Sequence, residues 1–214
     1  MQRVYVHPLP VRIWHWTNAA GCTMLALTGL QIRYIGTINV VPFRIAVQIH
    51  NWIGFIIIAN YFLWFCFYVS SDRIRAYLPD LHPVRYFRDA MQQALYYSYG
   101  VFRGLPNPHH VSKYHLFNPL QAITYQLMML LVLPLQGFTG VLLWNLTGFA
   151  GIVALFGGVR VIDTVHVLIF AVFLFYIPFH AYLGTMGHTP LADYKAMLDG
   201  YEEVEEGEHA DGAE

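Results

Sequence analysis

Asp163-Thr-Val-His166-Val-Leu-Ile-Phe-Ala-Val-Phe-Leu-Phe-Tyr-Ile-Pro-Phe-His180-Ala-Tyr182 decides how the chain is read. No charged residue interrupts the sequence between Asp163 and Asp193. A run this long and apolar spans a membrane as a helix. His166 and His180 are 14 positions apart. At about 100° per residue, that spacing falls within about 40° of four whole turns, so both imidazoles leave the same face. At about 1.5 Å per residue they lie about 21 Å apart along the axis, at two depths of the bilayer.

Composition agrees with this reading. The chain has 214 residues, of which 57% are hydrophobic and 12% charged, against about 25% charged in an average soluble domain. It is therefore read as an all-α membrane protein with one compact bundle and no separate soluble domain. A formal net charge of −1 offers nothing to nucleic acid. Cys22 and Cys66 both sit in apolar runs, which suits small core residues better than a disulfide. No Cys-x-x-Cys-His motif for covalent haem attachment occurs. The start, with Arg3, His7, Pro8, Pro10 and Arg12, does not resemble a cleavable signal, so the first span is expected to be retained.

Four spans are expected: about Ile13–Ile32, Ile45–Ser71, Asn118–Trp144 and Ile162–Gly187. Trp14 and Trp16 open the first span, where an interfacial aromatic belt belongs. Pro83 to Arg103 alternates apolar and polar residues and is read as an amphipathic helix lying on the membrane surface between the second and third spans. Asn145 to Gly151 and Gly157-Gly158 are read as a turn or short re-entrant piece. Residues 1–200 are read as the bundle domain, and the acidic stretch 201–214 as a disordered tail.

Nine of the 12 Lys and Arg residues fall in the N-terminal stretch, the long middle segment and the C-terminal stretch. Only Arg33, Arg44 and Arg160 fall in the two short connections. The positive-inside rule then places both termini and the long segment on the cytoplasmic side. With alternating spans, His50 and His166 share the outer layer, and His15 and His180 the inner one.

Intramembrane ionisable groups are costly and usually functional. One isolated histidine is best read as a hydrogen-bonded core residue, but four in two matched layers are not. A zinc site takes about four protein ligands, so a bare pair of imidazoles suits zinc poorly. An iron porphyrin brings four equatorial nitrogens and needs two axial ligands. Gly29, Gly54, Gly137 and Gly140 leave room for a bulky flat group, or equally allow close helix packing. With both axial positions filled, such a centre moves single electrons.

At this point the chain resembles the b-type cytochrome membrane subunits of nickel–iron hydrogenases, formate dehydrogenases and thiosulfate reductases. The residues that carry the resemblance are His7-Pro-Leu-Pro-Val-Arg-Ile-Trp-His15-Trp-Thr-Asn18, Leu27-Thr-Gly29, His50 with Gly54, Lys113-Tyr-His-Leu-Phe-Asn118-Pro-Leu-Gln121, and His166 with His180. The resemblance implies a four-helix bundle in the bacterial inner membrane. It implies two haem b groups, one held by His50 and His166 and one by His15 and His180. It also implies a menaquinone or ubiquinone site near the inner haem, with Asn118, Gln121 and His115 as candidates. Leu116-Phe117 is an insertion against the usual pattern and bears on the register of His115. The implied partner is a periplasmic-side iron–sulfur or multihaem redox subunit.

Arg12, Arg33, Arg44 and His188 are candidates for haem propionates, or are snorkelling anchors. Pro178 removes a helix hydrogen bond to Leu174, two residues before His180. Two other functions fit the same residues. One is a stand-alone cytochrome b taking electrons from a small outer-face donor such as superoxide. The other is a haem-free anchor or transporter that uses its histidines as a proton relay.

Overall fold

In the computed structural model, the described residues are 2–71, 82–106, 108, 119–185, 189 and 191–204. They are mostly helical. The helices are α1 (Leu9–Arg33), α2 (Phe43–Val69), α3 (Pro83–Leu95), α4 (Pro119–Leu127), α5 (Leu133–Trp144), α6 (Ala150–Leu155), α7 (Val159–Leu183) and α8 (Ala192–Asp199). Three helical runs are long and apolar enough to cross a membrane: Phe43–Val69, Pro119–Trp144 and Val159–Leu183. The first helix, α1, is 25 residues long and falls outside that set, because His15, Thr17, Asn18, Thr23, Thr28 and Gln31 lower the hydropathy of its uncharged middle.

The chain divides into two compact units. The larger comprises Tyr5–Cys66 and Val132–Glu202 and contains α1, α5, α6, α7, α8 and nearly all of α2. Within it α7 packs against α1, α5 and α6. Glycine brings α1 close to α2: a Cβ on Gly21 would lie 2.5 Å from Ile57 Cδ1. A Cβ on Gly137 of α5 would lie 3.3 Å from Ile58 Cγ1 of α2. This is the small-residue packing that helices use in lipid, where no hydrophobic drive separates partner from solvent. Trp14 and Trp64 stack with centroids 5.9 Å apart, and Phe55 meets Trp144 edge-on at 5.1 Å. Leu142, Val153 and Ile162 form a buried cluster where α5, α6 and α7 meet. Large apolar side chains face outward, including Trp52, Leu63, Leu168 and Phe175. That inversion suits a lipid surround and would be costly in water.

Polar groups tie the ends of the bundle. Gln31 is 4% exposed; its amide donates to the Val41 carbonyl and accepts from the Val41 amide at 3.4 Å, closing the α1–α2 connection. Asn60 donates to the Trp14 carbonyl at 3.1 Å. The Arg12 guanidinium donates to the Leu198 carbonyl, and Trp16 Nε1 donates to Met197 O at 3.0 Å, fastening α8 to α1.

The other unit comprises Met1–Val4, Phe67–Leu131 and Glu203–Glu214. Here α3 packs on α4, with Ala90 and Gln93 buried and Tyr86 donating to Gln126 Oε1 at 3.4 Å. Val84, Phe87, Met91 and Leu95 recur at helical spacing on the opposite face and are all exposed. A π-helical turn, Met128–Val132, precedes Pro134, which has no N–H to give the carbonyl four residues back.

The structure departs from the sequence reading in several places. Helix ends move by a few residues, as α1 begins at Leu9 and α7 at Val159. The glycine-rich piece after α5 contains a short helix, α6. Strands β1 (Gln2–Tyr5) and β2 (Tyr201–Val204) pair, so the fold is not wholly helical and the segment after Gly200 starts as a strand. Such a pairing joins the two ends of the sequence and has no local signal. Residues 205–214 of the expected tail lie outside the described residues.

Candidate functional site

All four candidate histidines belong to the larger unit. His15 lies early in α1, His50 early in α2, and His166 and His180 near opposite ends of α7. The structure brings them together as two couples. The rings of His15 and His180 have centroids 6.1 Å apart, and those of His50 and His166 6.4 Å apart.

These spacings can be tested against a shared metal. A metal–nitrogen bond of about 2.0–2.1 Å, plus about 1.1 Å from ring nitrogen to ring centre, puts two trans imidazole centroids about 6.3 Å apart. Face-to-face stacking would bring them closer; at interplanar angles of 57° and 67° the rings are tilted or edge-on, a spacing that ordinary aromatic contact shares and that also matches two imidazoles sharing one metal. Among the described residues, no group of three or more His, Cys, Asp or Glu gathers as a metal site. A metal held by such a couple therefore has to bring its remaining ligands with it, as a porphyrin does.

The hydrogen bonds of His50 and His166 point the same way. Thr28 Oγ1 lies 2.8 Å from the Met24 carbonyl and 2.9 Å from His50 Nδ1. Thr139 Oγ1 lies 2.9 Å from the Leu135 carbonyl and 2.9 Å from His166 Nδ1. A hydroxyl has one proton, and a carbonyl can only accept. Both contacts are satisfied only if the threonine donates to its own helix and accepts from Nδ1–H. Each ring then carries its proton on Nδ1 and leaves the Nε2 lone pair free. At His166 that lone pair faces Gln136 Nε2 at 3.3 Å, a donor, which agrees with this tautomer. A metal would take the lone pair that Gln136 holds here.

The glycines separate into different roles. A Cβ on Gly29 would sit 3.5 Å from His50 Cε1, and one on Gly140 3.3 Å from His166 Cε1. These two back the imidazoles. Gly137 serves helix packing, and a Cβ on Gly54 would meet nothing within 4 Å. The other couple is less tethered: His15 Nδ1 is buried and makes no hydrogen bond, as does the Asn18 Oδ1 atom one turn on. Tyr176 stacks on His180 with centroids 5.5 Å apart and an interplanar angle of 13°. α7 runs through Pro178 without ending.

Of the other residues singled out, Gln121 lies in the first turn of α4 and is exposed. His115, Asn118 and His188 lie outside the described residues. Arg33 and Arg44 are exposed. Sequence reading missed Thr28 and Thr139 as partners of histidine. Their signal was the repeated Thr-Gly dipeptide, Thr28-Gly29 and Thr139-Gly140, in two helices.

Known proteins bear on this arrangement. The chain is 31% identical over 202 residues to YdhU of Escherichia coli (strain K12), provisionally named a cytochrome, covering 94% of this chain and 75% of that protein. It is 27% identical over 204 residues to a protein of Rhizobium leguminosarum bv. viciae provisionally named a Ni/Fe-hydrogenase B-type cytochrome subunit, covering 86% and 81%. No solved structure matches. The family model for prokaryotic cytochrome b561 matches residues 6–200. That span holds all four histidines and both threonines, and the chain belongs to the prokaryotic cytochrome b561 family of haem-bearing, electron-transporting membrane proteins.

Proposed function

We propose that this chain is a dihaem, four-span cytochrome b subunit that carries electrons across the inner membrane between a partner redox subunit and the quinone pool. The observation that carries the reading is the meeting of four intramembrane histidines as two couples, with ring centroids 6.1 and 6.4 Å apart. His50 and His166 would hold one haem b, and His15 and His180 the other. A haem with two axial histidines supplies one-electron exchange without an open coordination site.

The chain's residues then have definite tasks. Thr28 and Thr139 hold His50 and His166 in the tautomer that leaves Nε2 available. Gly29 and Gly140 let those rings lie close to the backbones of α1 and α5. The apolar faces of α2 and α7 keep water from the couples and turn the bundle toward lipid. The first helix, α1, is the fourth span, its Arg12 and Arg33 reaching the interfaces while its middle stays uncharged. The exposed apolar stripe of α3 lies in the interfacial plane.

The Lys and Arg distribution puts both termini in the cytoplasm and the His50–His166 couple at the periplasmic side. The partner, an iron–sulfur or multihaem subunit, docks on that side; the name given to the Rhizobium relative, a hydrogenase subunit, supports a catalytic partner. Asn118, Gln121 and His115 contribute polar groups to the quinone site, whose chemistry needs protons as well as electrons.

The test is a reduced-minus-oxidised absorption spectrum of the purified protein with a haem-to-polypeptide ratio, followed by addition of a quinol. Two haems b per chain, reduced by quinol, are expected. A preparation without b-type haem refutes the reading and leaves the haem-free anchor. Haem reduction by superoxide, with no co-purifying subunit, favours the stand-alone cytochrome.

A further inference from the structure

We infer that Thr28 and Thr139 are positioning residues that set the redox potential of the His50–His166 centre and leave the His15–His180 centre untouched. The inference rests on the dihaem reading and goes beyond it by assigning the two centres different electronic surroundings.

Both threonines are almost fully buried, Thr28 at 7% and Thr139 at 2% exposure. Each hydroxyl faces two carbonyls of its own helix, Met24 at 2.8 Å and Leu25 at 3.2 Å for Thr28, and Leu135 at 2.9 Å and Gln136 at 3.1 Å for Thr139, and its single proton is assigned to them. Each therefore presents only lone pairs to an Nδ1–H, at 2.9 Å in both cases. The arrangement is duplicated: a Thr-Gly dipeptide late in α1 serves a histidine early in α2, and a second midway along α5 serves a histidine early in α7. Within each dipeptide the glycine backs the ring while the threonine takes its proton.

An acceptor at Nδ1–H makes Nε2 a stronger electron donor. A stronger axial donor favours the oxidised, more positive iron, so these two bonds lower the potential of that centre. His15 has no such partner, because its buried Nδ1 makes no hydrogen bond. The two centres thus differ in the surroundings of their axial ligands, which biases the direction in which an electron moves between them.

The test replaces Thr28→Val and Thr139→Val, singly and together, each near-isosteric but without the hydroxyl. Midpoint potentials are read by spectroelectrochemical titration, and the ferric low-spin signals by electron paramagnetic resonance. Each Val substitution is expected to shift the one-electron equilibrium of one centre about two- to fivefold toward reduction, which is about 20–40 mV upward. The other centre keeps its potential. Thr28→Ser and Thr139→Ser, which restore the hydroxyl, are expected to keep the wild-type value. Unchanged potentials in the Val variants with both haems retained overturn the inference while leaving the dihaem reading intact. Ser variants that shift as far as Val also overturn it, since packing and not the hydroxyl would then be responsible. Wild-type protein without b-type haem fails the underlying reading instead.

Discussion

Removing the His166 imidazole by His166→Ala takes one member from the couple whose centroids lie 6.4 Å apart. His50 keeps its Thr28 bond, but nothing remains on the opposite side of the gap. Thr139 and Gln136 lose the ring that each contacts, at 2.9 and 3.3 Å. Loss of an outer-shell partner alone costs about 10- to 100-fold in metal affinity, and loss of the ligand itself costs more. The affected haem is therefore expected to be absent from protein purified by dilution and washing. His180 sits on the same helix, about 21 Å further along the axis. That is well beyond the ~7–10 Å over which substitutions usually couple, so the His15–His180 centre is expected to survive. The assay is a haem-to-polypeptide ratio with electron paramagnetic resonance of the ferric centres. The expected result is about half the wild-type haem and loss of one of the two low-spin signals. His180→Ala should remove the complementary signal. Equal loss of both haems in His166→Ala, or retention of both, would refute the assignment of ligands to couples.

Three further sets of variants probe the surroundings. Gly140→Ala places a methyl 3.3 Å from His166 Cε1, tighter than ordinary contact, and is expected to lower haem occupancy at that centre; Gly29→Ala, at 3.5 Å from His50 Cε1, is expected to be milder, and absorption spectra of the two variants check the order. Gln31→Leu strands the partly buried Val41 carbonyl and amide, so it is expected to cost about 1–3 kcal/mol, read as a lower thermal midpoint in detergent. Nitroxide labels at Phe87 and Met91, in a background lacking Cys22 and Cys66, are expected to be more accessible to oxygen than to a water-soluble nickel chelate, and a label at Gln92 the reverse; equal accessibility at all three would remove α3 from the interface.

Much of the fold was legible because helices in lipid announce themselves locally. Uncharged windows mark the runs Phe43–Val69, Pro119–Trp144 and Val159–Leu183 within a few residues. The same windows anticipated a helix over α1, although His15, Thr17, Asn18, Thr23, Thr28 and Gln31 make its uncharged middle less apolar than the other three runs. The β1–β2 pairing was not legible, because residues near position 2 and position 201 share no local pattern. The glycines were only half legible: sequence marks Gly29, Gly54, Gly137 and Gly140 as places without a side chain, but not what stands opposite. The structure sets an imidazole against Gly29 and Gly140 and an isoleucine against Gly137.

What the amino-acid sequence determined by itself is the membrane class, and that His166 and His180 share one helix face four turns apart. Those follow from a fixed rise and turn per residue, which act over a few neighbours. What only the tertiary structure decided is how far apart the rings stand across the bundle, and that two threonine hydroxyls reach Nδ1 of His50 and His166. Those distances depend on the register and rotation of one helix against another, set by many side chains distant in sequence packing at once.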